Sequence, residues 1–146
     1  MPPQQKQYDY LEHTADAKFR AYGKSLEETF ENAALAMFNV IIDTGKIFGS
    51  VKRDVSIESY ELESLLVDWL SELLYLFEVD EIAFREFKVE EILEKDGKYF
   101  LKARAFGEKF EDRPLPFETE IKAVTYNQLE LCKTKEGWVA QVVVDL

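Results

Sequence analysis

The stretch LESLLVDWLSELLYLF (residues 62–77) sets apolar side chains at intervals of three and four, the spacing of one helix face. Acidic residues such as Asp68 and Glu72 take the opposite face. A stripe of this width can cover a sheet. We therefore predict a helix over residues 60–77 that packs on β-structure, with Trp69 in the core rather than in a ligand site.

The segments on either side of this helix predict the rest of the fold. Apolar and polar residues alternate at 8–11, 17–22, 51–59, 83–93, 99–106, 121–131 and 138–144, which predicts strands. Ser25-Leu26-Glu27-Glu28 is a capping box that opens a first helix, which ends near Asp43 with Gly45 as C-terminal cap. Asp96-Gly97 is typical of a hairpin turn. The order ββαβαββββ predicts an α+β fold, an antiparallel or mixed β-sheet packed with two main helices as a two-layer sandwich.

Length and composition predict one domain. The chain has 146 residues, of which 47% are hydrophobic, and this is enough to bury a core. We expect residues 1–7 to be a flexible lead-in to a single domain over residues 8–146. The single cysteine, Cys132, excludes an internal disulfide and a Cys-rich zinc site, and we expect it to be a small buried side chain. Residues 1–7 lack the features of a signal peptide, and no apolar run reaches the roughly 18 residues of a membrane span, so we expect a cytoplasmic protein.

The net charge of −11 is concentrated in one part of the chain. Residues 58–96 hold 13 acids and 3 bases, whereas the remaining residues hold 16 and 15. Such a surface repels phosphate backbones, so we expect no direct binding of nucleic acid. An acidic face suits solubility or docking onto a basic protein partner.

The motif Glu12-His13-Thr14-Ala15-Asp16 joins the first two predicted strands and holds the only histidine. At the other end of the chain, the last predicted strand runs into Asp145 and Leu146. If the two ends meet, they offer oxygen ligands to a hard cation, with Ca²⁺ favoured and Mg²⁺ second. Zinc prefers nitrogen and sulfur ligands, which are scarce here. The alternative interpretation is that Asp16 caps a turn or a helix.

Two further residues have alternative readings. His13 could act as a base for Cys132 or a serine, but no nucleophile motif accompanies it, so we favour a role in orienting a carboxylate or hydrogen-bonding to the backbone. Lys122 is a cation in an apolar strand near the acidic ends. It is either a functional residue or an ordinary strand lysine that points to water.

Five motifs, in order along the chain, resemble those of the archease family. They are Glu12-His13-Thr14-Ala15-Asp16, Gly23-Lys24-Ser25-Leu26-Glu27-Glu28, Leu65-Leu66-Val67-Asp68-Trp69-Leu70 with Glu72-Leu73-Leu74-Tyr75, Glu120-Ile121-Lys122-Ala123-Val124-Thr125-Tyr126, and Gly137-Trp138 with Val143-Val144-Asp145-Leu146. The resemblance covers residues 8–146.

The resemblance implies an accessory factor rather than an enzyme. Archeases are small α+β proteins that bind a divalent cation, assigned as calcium, and assist the RtcB-type tRNA-splicing ligase. They promote guanylylation of the ligase by GTP, support its multiple turnover and broaden its nucleotide use. Carried over by motif, the metal ligands are Asp16, Asp145 and Leu146, the last through a main-chain or terminal oxygen. His13 would neighbour the site, and Lys122 would be a further functional residue.

The sequence departs from the family pattern at two places. Asn127, followed by Gln128, stands where the family commonly has histidine after Thr-Tyr, and Arg113-Pro114 stands where we expect Arg-His. Any mechanism that needs those imidazoles fails here, although the carboxylates remain. Two other functions stay open from sequence: a metal-dependent hydrolase with His13 as base, and a chaperone-like protein-binding module.

Overall fold

The computed structural model describes residues 6–11 and 16–146. The principal elements are β1 (Tyr8–Leu11), β2 (Asp16–Gly23), α1 (Leu26–Ile41), β3 (Val51–Ser59), α2 (Leu62–Val79), β4 (Ile82–Lys95), β5 (Lys98–Lys109), β6 (Ala123–Thr134) and β7 (Gly137–Asp145). Short 3-10 turns lie at Thr44–Lys46 and Phe110–Asp112. The α+β class and the order ββαβαββββ are confirmed.

The strands divide into two antiparallel sheets. Sheet A has the order β1-β2-β7-β6, and sheet B has the order β3-β5-β4. Both helices contact both sheets: α1 packs on β2, β7 and β4, and α2 packs on β6 and on all of sheet B. Because β7 lies between β2 and β6, the last strand of the chain is an interior strand of sheet A. This arrangement brings the start of β2 alongside the end of β7.

Helix α1 begins as its capping box predicts. The Ser25 hydroxyl accepts from the Glu28 amide at 3.1 Å, and the Glu28 carboxylate accepts from the amide of Lys24 at 2.7 Å. The predicted C-terminal cap was wrong, because the chain becomes extended at Ile42 directly after the helix. Gly45 instead lies in the following 3-10 turn, where its amide donates to the Asp43 carboxylate.

Helix α2 buries the stripe that the sequence predicts. Trp69 is fully buried, and its indole N–H donates to the backbone oxygen of Phe30 on α1 at 3.0 Å. Its ring meets Phe87 of β4 edge-on, so one side chain joins both helices to sheet B. The core reading of Trp69 is confirmed. No helix in the described ranges is long and apolar enough to cross a membrane.

Candidate functional site

Strand pairing in sheet A brings Asp16 and Asp145 together. The two residues are direct partners at the end of the β2–β7 ladder. On its other side, the Asp145 carbonyl accepts from the amide of Lys122 at 2.8 Å. In an antiparallel strand the amide and carbonyl of a given residue point to the same neighbouring strand, so the backbone of Asp145 bonds toward β6 and not toward β2. Asp16 and Asp145 are therefore a non-hydrogen-bonded pair. In such pairs the Cα atoms are about 4.5 Å apart and the side chains are closest. Both carboxylates therefore lie on one face of sheet A.

This pairing places two like charges directly opposite each other, and a cation bound between them would offset their repulsion. Asp16 is half-buried, whereas Asp145 and the adjoining Leu146 are exposed. The pair consequently lies where a solvated ion can reach it. The only metal-ligand atoms that the pair offers are oxygen atoms, the ligand type that Ca²⁺ and Mg²⁺ prefer.

The other predicted site residues have different outcomes. Lys122 lies beside the pair, just before β6, with an exposed side chain; Ala123, not Lys122, is the direct partner of Asp145. His13 lies outside the described residues. Cys132, expected to be buried, is exposed, because its position on β6 faces outward.

The bases that follow Asp16 on the same face of β2 are engaged by amide side chains. The Lys18 ammonium donates to the Gln128 side-chain oxygen at 2.8 Å, and the Arg20 guanidinium donates to the Gln141 side-chain oxygen at 2.9 Å. Sequence reasoning missed both contacts, since each joins residues more than a hundred positions apart. The alternation of β2, which places Asp16, Lys18 and Arg20 on one face, was the available signal.

An irregular, four-residue bulge in β6 supplies one of these partners. Residues 126–129 stand opposite Val142 alone, between the pairs Thr125–Val143 and Glu130–Gln141. Within the bulge Gln128 has φ +53°, and its backbone carbonyl accepts from the side-chain amide of Gln141 at 2.8 Å. A bulge of this kind redirects side chains next to a site. Here it holds Gln128 over β2 and leaves Asn127 exposed.

Arg113, which precedes Pro114, has a structural role. Its guanidinium makes two contacts with the carboxylate of Glu108, at 2.6 and 2.9 Å, and one with the carbonyl of Lys46 at 2.6 Å. Glu108 also accepts from the amide of Phe48 at 2.8 Å. Arg113 and this amide hold the pKa of Glu108 below its usual value, against the opposing effect of burial. The cluster joins the loop after α1 to the end of β5.

The acidic pair is smaller than a complete metal cage. Within residues 6–11 and 16–146, no group of three or more His, Cys, Asp or Glu side chains is placed to hold a metal ion. Two side-chain carboxylates with a main-chain or terminal oxygen would leave further positions to water, as Mg²⁺ and many Ca²⁺ sites allow. A cleft of about 330 Å³ lies elsewhere, on sheet B, lined by residues that include Ser56, Glu91 and Lys102. It takes no part in the acidic pair.

Comparison with known proteins is consistent across sequence and structure. The model of the archease protein family matches residues 8–146. Protein archease of Methanosarcina barkeri is 68% identical over 146 residues, all of both chains, and that of Pyrococcus furiosus is 44% identical over 142 residues, 97% of this chain and 99% of the relative. The solution structure of protein 1598 from Methanobacterium thermoautotrophicum superimposes with a TM-score of 0.80 at 40% identity, covering 96% of this chain and 99% of that one. An archease crystal structure from Thermotoga maritima, at 22% identity and a TM-score of 0.52, shares the fold over 93% of this chain and 94% of that one.

Proposed function

Because the chain belongs to the archease family, we propose that it activates an RtcB-type tRNA-splicing ligase in the cytoplasm, promoting guanylylation by GTP and multiple turnover. The chain itself is not the catalyst. It carries a divalent cation, Ca²⁺ with Mg²⁺ as runner-up, on Asp16, Asp145 and a main-chain or terminal oxygen of Leu146.

The observation that supports this proposal is the facing pair of Asp16 and Asp145. Two carboxylates held opposite each other repel, and a bound cation removes that repulsion. Asp145 and the adjoining Leu146 are exposed, so a solvated cation can approach from the end of sheet A. The oxygen donors gathered there suit a hard cation rather than zinc.

This chain acts on the ligase by binding preferentially to the state of the ligase that is competent for nucleotidylation. A cation, when bound, supplies a compact positive charge at an otherwise acidic end. Asp16 and Asp145 orient it, while the exposed ammonium of Lys122 is placed for a contact with the partner, and His13 serves as a neighbour of the site. The ligase is stimulated if this surface binds its nucleotidylation-competent state more tightly than its resting state.

The test is guanylylation of a ligase from the same source by GTP, with this protein in substoichiometric amounts. We expect Asp16→Asn and Asp145→Asn to abolish stimulation, since they remove charge but keep shape. Asp112→Asn, an exposed acid in the second 3-10 turn, is the matched control and should stimulate fully. Full stimulation by both site variants would refute the role of the acidic pair.

Calorimetric titration with Ca²⁺ and with Mg²⁺ separates the metal from the activation. We expect one Ca²⁺ site per chain that is lost in either site variant and retained in Asp112→Asn. If the chain stimulates the ligase but binds neither cation, the family function stands and the metal assignment fails.

A further inference from the structure

The two edge strands of sheet B differ in whether other parts of the molecule hydrogen-bond to their outward backbone groups. On the β4 edge, the amides of Val89 and Ile92 donate to carboxylates of α1, those of Glu31 at 2.8 Å and Glu27 at 3.3 Å. The opposite edge is β3, whose exposed residues alternate along its length. Among the described residues, no other element hydrogen-bonds to the outward backbone of β3. Exposed strand edges are templates for a further strand.

The backbone groups on that edge follow from the β4–β5 hairpin. Lys95 and Lys98 flank the two-residue turn Asp96-Gly97, so they form a hydrogen-bonded pair. The amide and carbonyl of Lys98 consequently point to β4. Alternate residues of β5, beginning with Tyr99, therefore point to β3. Their partners are the odd-numbered residues 51–59, because the β3–β5 ladder has no register shift.

The even-numbered residues of β3 consequently present their amides and carbonyls outward: Lys52, Asp54, Ser56 and Glu58. Two contacts agree with this assignment. The guanidinium of Arg53 donates to the backbone carbonyl of Lys52 at 2.9 Å. This carbonyl is open to a side chain because it points away from β5. On the other edge, Val89, the β4 partner of Ala103, donates outward to Glu31, as the same alternation requires.

We propose that β3 is a docking edge for β3 of a second copy of this chain, paired antiparallel about a two-fold axis at Val55. In this register Lys52 of each copy faces Glu58 of the other, and Asp54 faces Ser56. All four are exposed and belong to the outward-bonding set, so about eight backbone hydrogen bonds can form between copies. Two of them use the Lys52 carbonyls, which Arg53 shares through a second lone pair or releases. Val55, which is nearly buried in the single chain, meets its own counterpart on the inner face.

The charges select this register over its neighbours. An axis at Asp54 places the two Asp54 carboxylates opposite each other, and an axis at Ser56 places Asp54 opposite Glu58. Both arrangements set like charges directly across the ladder, which is unfavourable. An axis at Arg53 would join Lys52 to Asp54, but it sets the two Arg53 side chains opposite each other and pairs fewer residues of β3. Of these four axes, the one at Val55 joins opposite charges without placing like charges across the ladder.

The side chains at the edge are available for this pairing. Glu58 is 59% exposed and contacts Lys98 of its own hairpin at 3.3 Å, an arrangement that leaves carboxylate surface for a second base. A single pair of strands buries less than the roughly 1,200 Å² of standard stable interfaces. The dimer is therefore weak and depends on protein concentration, and it is independent of the acidic pair on sheet A.

The test is sedimentation velocity of the full chain over a range of concentrations. Lys52→Glu or Glu58→Lys alone changes two facing pairs from attraction to repulsion, and we expect about tenfold weaker dimerisation. The double variant, Lys52→Glu with Glu58→Lys, restores opposite charges and should restore the dimer. Lys102→Glu makes the same change of charge on the central strand β5 and serves as the matched control.

Ser56→Pro provides a second test, because it removes an outward amide without breaking a bond to β5; a circular dichroism melt verifies its fold. We expect a monomer. A wild-type chain that stays monomeric at every concentration overturns the proposal. So does a dimer that is indifferent to the single charge changes, or a double variant that fails to recover. A wild-type monomer whose β3 amides become protected only with ligase present would identify a strand of the partner as the occupant instead.

Discussion

Replacement of Arg113 by alanine tests the cluster that fastens the loops around sheet B. The change removes three contacts of the guanidinium and leaves the Glu108 carboxylate, whose side chain is 7% exposed, with the Phe48 amide. Breaking a buried ion pair costs about 3–5 kcal/mol. Because Arg113 is 38% exposed, water can replace part of what it gave, and we expect a loss of about 2–3 kcal/mol. This corresponds to a fall of about 5–10 °C in Tm.

Urea unfolding at neutral pH measures this loss, with Arg85→Ala as the control. Arg85 is an exposed arginine on β4, and its removal should change the free energy of unfolding by less than about 0.5 kcal/mol. The double variant Glu108→Gln with Arg113→Ala leaves no unpaired charge, so it should be more stable than Arg113→Ala alone. A double variant as unstable as the sum of its parts would refute the argument.

The pH dependence gives an independent check of the same pair. The pKa of Glu108 in the folded protein lies below its ordinary value of 4.5. The stabilisation is therefore complete above that value and is lost as the pH falls through the folded pKa. The difference in unfolding free energy between wild type and Arg113→Ala should accordingly shrink in acid. A difference that stays constant down to the acid transition would contradict the assignment.

Three other changes test the packing and the β4 edge. Burial raises the pKa of Glu31 above 4.5, so the contribution of this carboxyl group to stability falls as the pH rises through its folded pKa. Glu31→Gln keeps an acceptor for the Val89 amide, and in this variant the free energy of unfolding should depend less on pH above 4.5. Gly107→Ala would drive a methyl group into the backbone of Ala83, so we expect loss of about 2 kcal/mol or more in thermal melts, and a neutral result would contradict the close approach. Trp69→Phe removes side-chain volume and the hydrogen bond to Phe30 of α1, so calorimetry should show a loss of about 2–4 kcal/mol in the free energy of unfolding. A loss below about 1 kcal/mol would argue against a role of Trp69 in joining the helices to sheet B.

Local patterns predict most of the secondary structure. The Ser25 cap, the stripe containing Trp69 and the turn at Asp96-Gly97 are each decided by residues a few positions apart, and all three are found as predicted. Alternation in a strand tells which residues share a face but not which strand lies alongside. The division into two sheets was for that reason not predictable from the pattern.

The acidic pair was predictable only as a meeting of chain ends. The sequence indicated Asp16 and Asp145 as candidates, and the β2–β7 register makes them partners. The contacts of Lys18 with Gln128 and of Arg20 with Gln141 depend on the bulge in β6, whose extra residues carry no distinctive local signal. Asn127 was expected to be a departure from the family pattern, but its position on that bulge required the structure.

The interior position of β7 has a consequence for the order of folding. Sheet B and α2 come from one continuous stretch, residues 51–109, whereas the β2–β7 ladder joins residues more than a hundred positions apart. Closing a long loop costs entropy that only later contacts offset. We expect sheet B to form first and to wait, with α1 and α2 partly uncovered, for the last strand to enter between β2 and β6. The acidic pair is then among the last features of the molecule to exist, since neither carboxylate has its neighbour until that strand is in place.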